Sequence, residues 1–207
     1  MTDDRIDRII EGLSNADLVA VLSGATLFET TAVKSAGIPS IRMLDGPSGV
    51  RGMEFLDTSS LCVPCHSALG ATWDTALVKE IGGVLGRQAR AKGARLHLAP
   101  TLNLQRTPVG GRNFESFGED PVLVATLGVA YIAGVQAEGV GSCVKHFVGN
   151  DTEHERVTIN SVIDERTLRE IYLRPFQDAV QIAGVPAVMA SYNSLNGPTV
   201  SEHRELL

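Results

Sequence analysis

No stretch of the 207 residues reaches eighteen consecutive apolar positions, so no transmembrane helix is expected. Positive charge is in deficit. Against 24 Asp and Glu stand 18 Lys and Arg, a net charge of −6, which argues against nucleic acid or an anionic membrane surface as partner. The start, Met1-Thr2-Asp3-Asp4-Arg5, is acidic and runs into an amphipathic pattern rather than a secretory signal, so a cytoplasmic location is expected. The three cysteines, Cys62, Cys65 and Cys143, cannot all pair within one chain, which fits a reducing compartment. Cys62 and Cys65 form a single CxxC with no second copy, and buried free thiols are the expected state of the three. There is no GxSxG elbow, and Gly82, Gly83 and Gly86 fall inside a helical pattern rather than in a phosphate-binding loop. His154-Glu155 lacks the second histidine of a zinc helix, and Asp151 with Glu153 reads as a solvated acidic turn. No metal and no cofactor are expected.

What is present is an ordinary globular composition, 43% hydrophobic and 20% charged, long enough for one sizeable domain or most of a larger one. Ile6, Ile9, Ile10 and Leu13 recur at helical spacing, and Ser14 with Asp17 opens a second helix. Short strands are expected at Ser40 to Leu44, Arg95 to Ala99, Ser142 to Val144 and Ala187 to Tyr192, with a weaker candidate at Val63 to Gly70. Between them lie helices capped by Asp74, by Asp120 before Pro121 and by Asp164, and a further helix is expected from Ser201. Strands alternating with helices at crossover spacing indicate a parallel sheet covered by helices. Pattern alone leaves a doubly wound sheet and a barrel both open.

The distinctive polar residues fall at the carboxyl ends of the four clearer strands. Asp45 follows the first, Arg106 and Arg112 the next, Lys145 and His146 the next, and Tyr192-Asn193 the last. In a parallel α/β fold that end is the binding face. Each residue also has a purely structural reading: Asp45 as a turn-former before Gly46-Pro47, Arg112 in an ion pair with Glu115 or Glu119, Tyr192 as ordinary core. Lysine, arginine, histidine and a carboxylate converging without a phosphate loop suit a ligand rich in hydroxyls.

The chain resembles the N-terminal domain of family 3 glycoside hydrolases, the β-glucosidases among them. The matching segments are Leu44-Asp45-Gly46-Pro47-Ser48-Gly49-Val50-Arg51-Gly52, Ala99-Pro100-Thr101-Leu102-Asn103-Leu104-Gln105-Arg106, Gly111-Arg112-Asn113-Phe114-Glu115-Ser116-Phe117-Gly118-Glu119-Asp120-Pro121, Val144-Lys145-His146-Phe147, Asn150-Asp151-Thr152-Glu153-His154-Glu155-Arg156, Leu168-Arg169-Glu170-Ile171-Tyr172-Leu173 and Met189-Ala190-Ser191-Tyr192-Asn193. The resemblance implies an incomplete (β/α)8 TIM-type barrel of about five of eight βα units, with residues 1–207 forming the N-terminal part of that domain. It implies that Asp45, Arg112, Lys145, His146, Arg156 and Tyr192 line the subsite for a terminal glucose, and that the substrate is a β-glucoside or short β-glucan oligosaccharide. The implied reaction is retaining hydrolysis, with one carboxylate attacking the anomeric carbon and another assisting the leaving group. Neither catalytic carboxylate is matched, so both are expected beyond Leu207, and the chain alone is expected to be inactive and to fold poorly. A homo-oligomer of the longer protein is compatible with the resemblance. The alternatives are a non-catalytic sugar-binding or truncated module, or an enzyme of the family acting on another β-glycoside such as a β-xyloside.

Overall fold

The computed structural model describes residues 4–52 and 59–207; Met1, Thr2 and Asp3 of the acidic start lie outside them. Helices α1 (Asp4–Glu11) and α2 (Asn15–Val21) come first, α2 opened by a capping box between Ser14 and Asp17. A small antiparallel pair, β1 (Gly24–Thr26) and β2 (Glu29–Thr30), leads to β3 (Met43–Asp45). Then follow α3 (His66–Gly70), α4 (Thr75–Ala91), β4 (Leu96–Leu98), α5 (Pro121–Ala137) and β5 (Gly141–Phe147). A short β6 (Asn160–Ser161), α6 (Glu165–Thr167), a π turn (Leu168–Tyr172), α7 (Arg174–Gln181), β7 (Ala187–Ala190) and β8 (Ser194–Leu195) complete the chain.

The helix starts obey local rules. The Asp74 carboxylate accepts from the N–H groups of Ala76 and Leu77, and that of Asp120 from Val122 and Leu123, so the first free donors of α4 and α5 are satisfied. The main sheet runs β3–β4–β5–β7, all parallel, with Leu44 opposite His97, His97 opposite Ser142 and Val144 opposite Val188. This is the α/β, TIM-type succession expected from the sequence, with four strands in the main sheet among the described residues where five candidates were expected.

The weak strand candidate at Val63 to Gly70 is corrected: its second half is helix α3. A short apolar run does not distinguish strand from helix. Here the helix is selected by packing, with the His66 ring stacked on Phe117 (centroids 4.3 Å apart) and Gly70 so close to the Phe117 carbonyl that no Cβ would fit. The helix expected from Ser201 is a single 3-10 turn, Val200–Glu202. Of the cysteines only Cys143, inside β5, is buried; Cys62 is exposed and Cys65 partly so, because they sit in the loop around Pro64. Neither α1 nor α2 buries a side chain, and Ile6, Ile10, Val19 and Leu22 stay exposed.

The core lies between the sheet and its helices. Helix α5, apolar on nearly every face, is packed between α4 and α7. Its crossing with α4 is close because glycines meet backbone there: a Cβ on Gly82 would penetrate the Tyr131 carbonyl, and one on Gly134 the Lys79 carbonyl. Tyr131 is fully buried and donates its hydroxyl to the Pro47 carbonyl at 3.0 Å. Around it sit two buried imidazoles. His97 Nε2 bonds the Gly46 carbonyl (3.1 Å) and His66 Nδ1 the Glu115 carbonyl (2.8 Å). The core thus ties down the loops after β3 and β4 from below. Burial holds both histidines near a pKa of about 4, so both are neutral at neutral pH.

Two predictions follow from this packing. Gly82→Ala overpacks the α4–α5 crossing at a cost of about 1–3 kcal/mol, more than the helix propensity it gains, and lowers the melting temperature. At Gly83 an added Cβ meets only ordinary contacts, the nearest at 3.5 Å, so Gly83→Ala is neutral or stabilising. Equal melting temperatures for the two variants would contradict the packing described. The second concerns acid. An unfolded chain protonates His66 and His97 near their ordinary pKa of 6.5, whereas the folded chain resists until about 4. Stability therefore falls as pH drops from about 6.5 towards 4, by on the order of a few kcal/mol, as urea midpoints across that range would register.

Candidate functional site

Asp45 ends β3, and its main chain is paired both ways with Arg51 at 2.8 Å, which turns the chain sharply through Gly46-Pro47. Its Oδ1 accepts from the Gly46 N–H (2.8 Å) and from the Lys145 ammonium (2.5 Å). Lys145 is 2% exposed, and its own main chain is gripped by the Pro100 carbonyl and the Leu102 N–H. Burial works to raise the Asp45 pKa, but the Lys145 charge and hydrogen bond win and hold it below the usual carboxylate value. Asp45 is therefore ionised at neutral pH.

Neighbouring residues on a regular strand point to opposite faces. The register between β5 and β7 slips between Lys145 and Phe147, and a bulge of this kind re-aims side chains. Lys145 and His146 consequently both reach the carboxyl end of the sheet. The ring of His146 meets Arg112, with Nε2 3.2 Å from Nη1. Arg112 is oriented by Glu115 in a two-pronged pair, Nε to Oε1 at 3.0 Å and Nη2 to Oε2 at 2.8 Å. The ion-pair reading of Arg112 is thus realised with Glu115, and that partner raises the arginine's pKa against burial. Burial, then Arg112 and Lys145, press the His146 pKa down to about 3.

Arg156 stands on the loop after β5, pairs with Glu153 at 2.8 Å and lies over the Tyr192 ring, 5.5 Å from its centroid. That ring is 64% exposed, so Tyr192 is not core; Asn193 next to it turns inward and is fully buried. Arg106 goes elsewhere, over the Tyr172 ring at 5.7 Å. Among the described residues, no three His, Cys, Asp or Glu side chains gather to hold a metal ion.

All six candidates from the sequence lie at one end of the sheet as three linked pairs: Asp45–Lys145, Arg112–His146 and Arg156–Tyr192. Asp45 and Arg156 both act electrostatically on His146, which joins the pairs into one cluster. Sequence reasoning assigned no role to Asn103 and read Glu153 as part of a solvated acidic turn, whereas it pairs with Arg156. Asn103 is buried against His146, and the available signal was an amide set between Leu102 and Leu104. Chemically, the cluster offers an ionised acceptor, three clamped cations and an exposed aromatic face, a set suited to neutral, hydroxyl-rich molecules.

Residues 1–207 match the model of the glycosyl hydrolase family 3 N-terminal domain. A β-glucosidase of Rhizobium radiobacter is 51% identical over 204 residues, covering 98% of this chain and 25% of that protein. The crystal structure of Kluyveromyces marxianus β-glucosidase in complex with glucose superposes with a TM-score of 0.94 at 40% identity, over 98% of this chain and 25% of that one. β-Glucosidase 3B of Thermotoga neapolitana, also in complex with glucose, gives 0.92 at 35% identity, over 98% and 31%. The chain spans about a quarter of the length of the curated relatives it matches. With a match that runs its entire length, this chain belongs to the glycosyl hydrolase family 3 N-terminal domain family.

Proposed function

We propose that this chain is the glucose-binding part of a retaining β-glucosidase acting on β-glucosides or short β-glucan oligosaccharides, with both catalytic carboxylates in sequence that follows Leu207. The observation that carries the reading is the set of three polar pairs at the carboxyl end of the parallel strands. The relatives' glucose complexes support the substrate class.

The donors and acceptors suit a sugar. Of the five N–H groups of a guanidinium, Arg112 directs two to Glu115 and one to His146, which leaves two for ligand oxygens. Lys145 gives one of its three N–H groups to Asp45. Asp45, kept ionised, accepts from two adjacent hydroxyls, and Lys145 donates to the same oxygens. These side chains are fixed before the ligand arrives, so little ordering entropy opposes binding. A rigid clamp on the hydroxyls holds the ring in the distorted shape of the oxocarbenium-like transition state, where its contacts are strongest. Asp45 is read as a hydroxyl acceptor rather than the nucleophile: its Oδ1 accepts from Gly46 and Lys145, which hold the carboxylate in place for the sugar.

The test begins with the gene downstream of Leu207 and expression of its whole reading frame. The product is expected to hydrolyse an aryl β-glucoside in preference to the β-xyloside. Asp45→Asn is expected to lower kcat/KM about a hundredfold or more, the loss of two charge-assisted hydrogen bonds. Retention of activity within a few-fold would remove Asp45 from the sugar site. The 207-residue chain by itself is expected to give no turnover; turnover by it would place the catalytic groups within residues 1–207.

A further inference from the structure

Asn103 and His146 are buried together, 8% and 9% exposed, and three contacts join them. The His146 N–H donates to Asn103 Oδ1 at 2.7 Å, Asn103 Nδ2 donates to the His146 carbonyl at 3.0 Å, and ring Nδ1 lies 3.2 Å from the same Oδ1. A main-chain N–H only donates and a carbonyl only accepts, so the amide has one permitted orientation. Its oxygen, not its nitrogen, faces Nδ1. At the far side of the ring Nε2 is 3.2 Å from Arg112 Nη1, a group that donates and never accepts. Nε2 must then carry the lone pair and Nδ1 the proton. The opposite tautomer would set two N–H groups against each other at Arg112 and two lone pairs against each other at Asn103.

We propose that Asn103 is a positioning residue that locks His146 as the neutral Nδ1–H tautomer, so that Nε2 accepts from Arg112 Nη1 and holds the guanidinium in place for the ligand. The functional part of this inference rests on the sugar-binding reading above. Nε2 accepts one N–H of Arg112 Nη1, so the ring and Glu115 together fix the guanidinium plane and leave the remaining N–H groups of Nη1 and Nη2 to donate to ligand oxygens. The charges acting on the ring are the cations Arg112, Lys145 and Arg156 and the carboxylate Asp45, with Glu115 and Glu153 neutralising Arg112 and Arg156. An imidazolium would add another positive charge to this group and point a second donor at Arg112. Burial and these cations oppose that state.

The tautomer is read directly from 15N-histidine NMR of the protein expressed from its gene, with His146→Gln assigning the signal. The pattern of an Nδ1–H, neutral ring at pH 7 is expected; an Nε2–H or doubly protonated pattern overturns the proposal whatever the protein's activity. The functional arm uses Asn103→Asp, which keeps the acceptor, gives up the donor to the His146 carbonyl and adds a negative charge beside Nδ1. The acid limb of its pH profile for kcat/KM on an aryl β-glucoside is expected to move up by about 1–2 pH units, as the imidazole gains a proton and loses Arg112. A lowered profile with an unmoved limb would mean that Asn103 only holds main chain, and would overturn the proposal. If no glycoside is hydrolysed, the sugar-binding reading fails while the NMR result still decides the tautomer.

Discussion

Lys145 and Asp45 are joined across the sheet, one at the end of β5 and the other at the end of β3, with β4 between them. An ammonium 2% exposed is tolerated beside a charge of opposite sign, and Asp45 supplies that charge together with one hydrogen bond. The pair does more than neutralise. It keeps the carboxylate ionised against burial, and its two charges act on His146 in opposite directions beside the larger effect of Arg112. Removing either partner would leave a buried charge without compensation, and the cluster above it would lose its reference point.

Beneath this pair the core is unusually polar for its position, and each polar group has a task. Tyr131, His97 and His66 each hold one carbonyl of a loop that carries site residues: Pro47, Gly46 and Glu115. These bonds reach across long sequence separations, so the loops take their shape from the core rather than from their own composition. The close α4–α5 crossing, made possible by glycines on both helices, is what brings Tyr131 to the underside of the β3 loop.

The cluster is built from pairs, and the pairing explains how three cations, a carboxylate and a histidine share one face. Glu115 and Glu153 each engage a single arginine, leaving donors free on the open side. The imidazole between them stays neutral, held by an amide on one side and a guanidinium on the other. Such a surface has little net charge but many directed donors and acceptors, as recognition of a neutral polyol requires.

Local chemistry made much of this legible. Asp74, Asp120 with Pro121, and Ser14 with Asp17 announce helix starts because a cap is satisfied within three residues. Polar side chains at the ends of apolar strands mark the binding face for the same reason of proximity, and Asp45, Lys145 and His146 stand out there. The segment from Val63 to Gly70 did not yield to this reading, because its helix is chosen by contact with Phe117 far along the chain. Asn103 stayed hidden likewise, since its side chain bonds His146 in the next strand, and no short-range rule connects the two. By itself the sequence determined the elements, their parallel order and the face where polar residues collect, all consequences of interactions within a few positions. Only the tertiary structure decided which of those residues pair, which way the Asn103 amide turns and which nitrogen of His146 keeps its proton, because those are settled by groups brought together from separate strands.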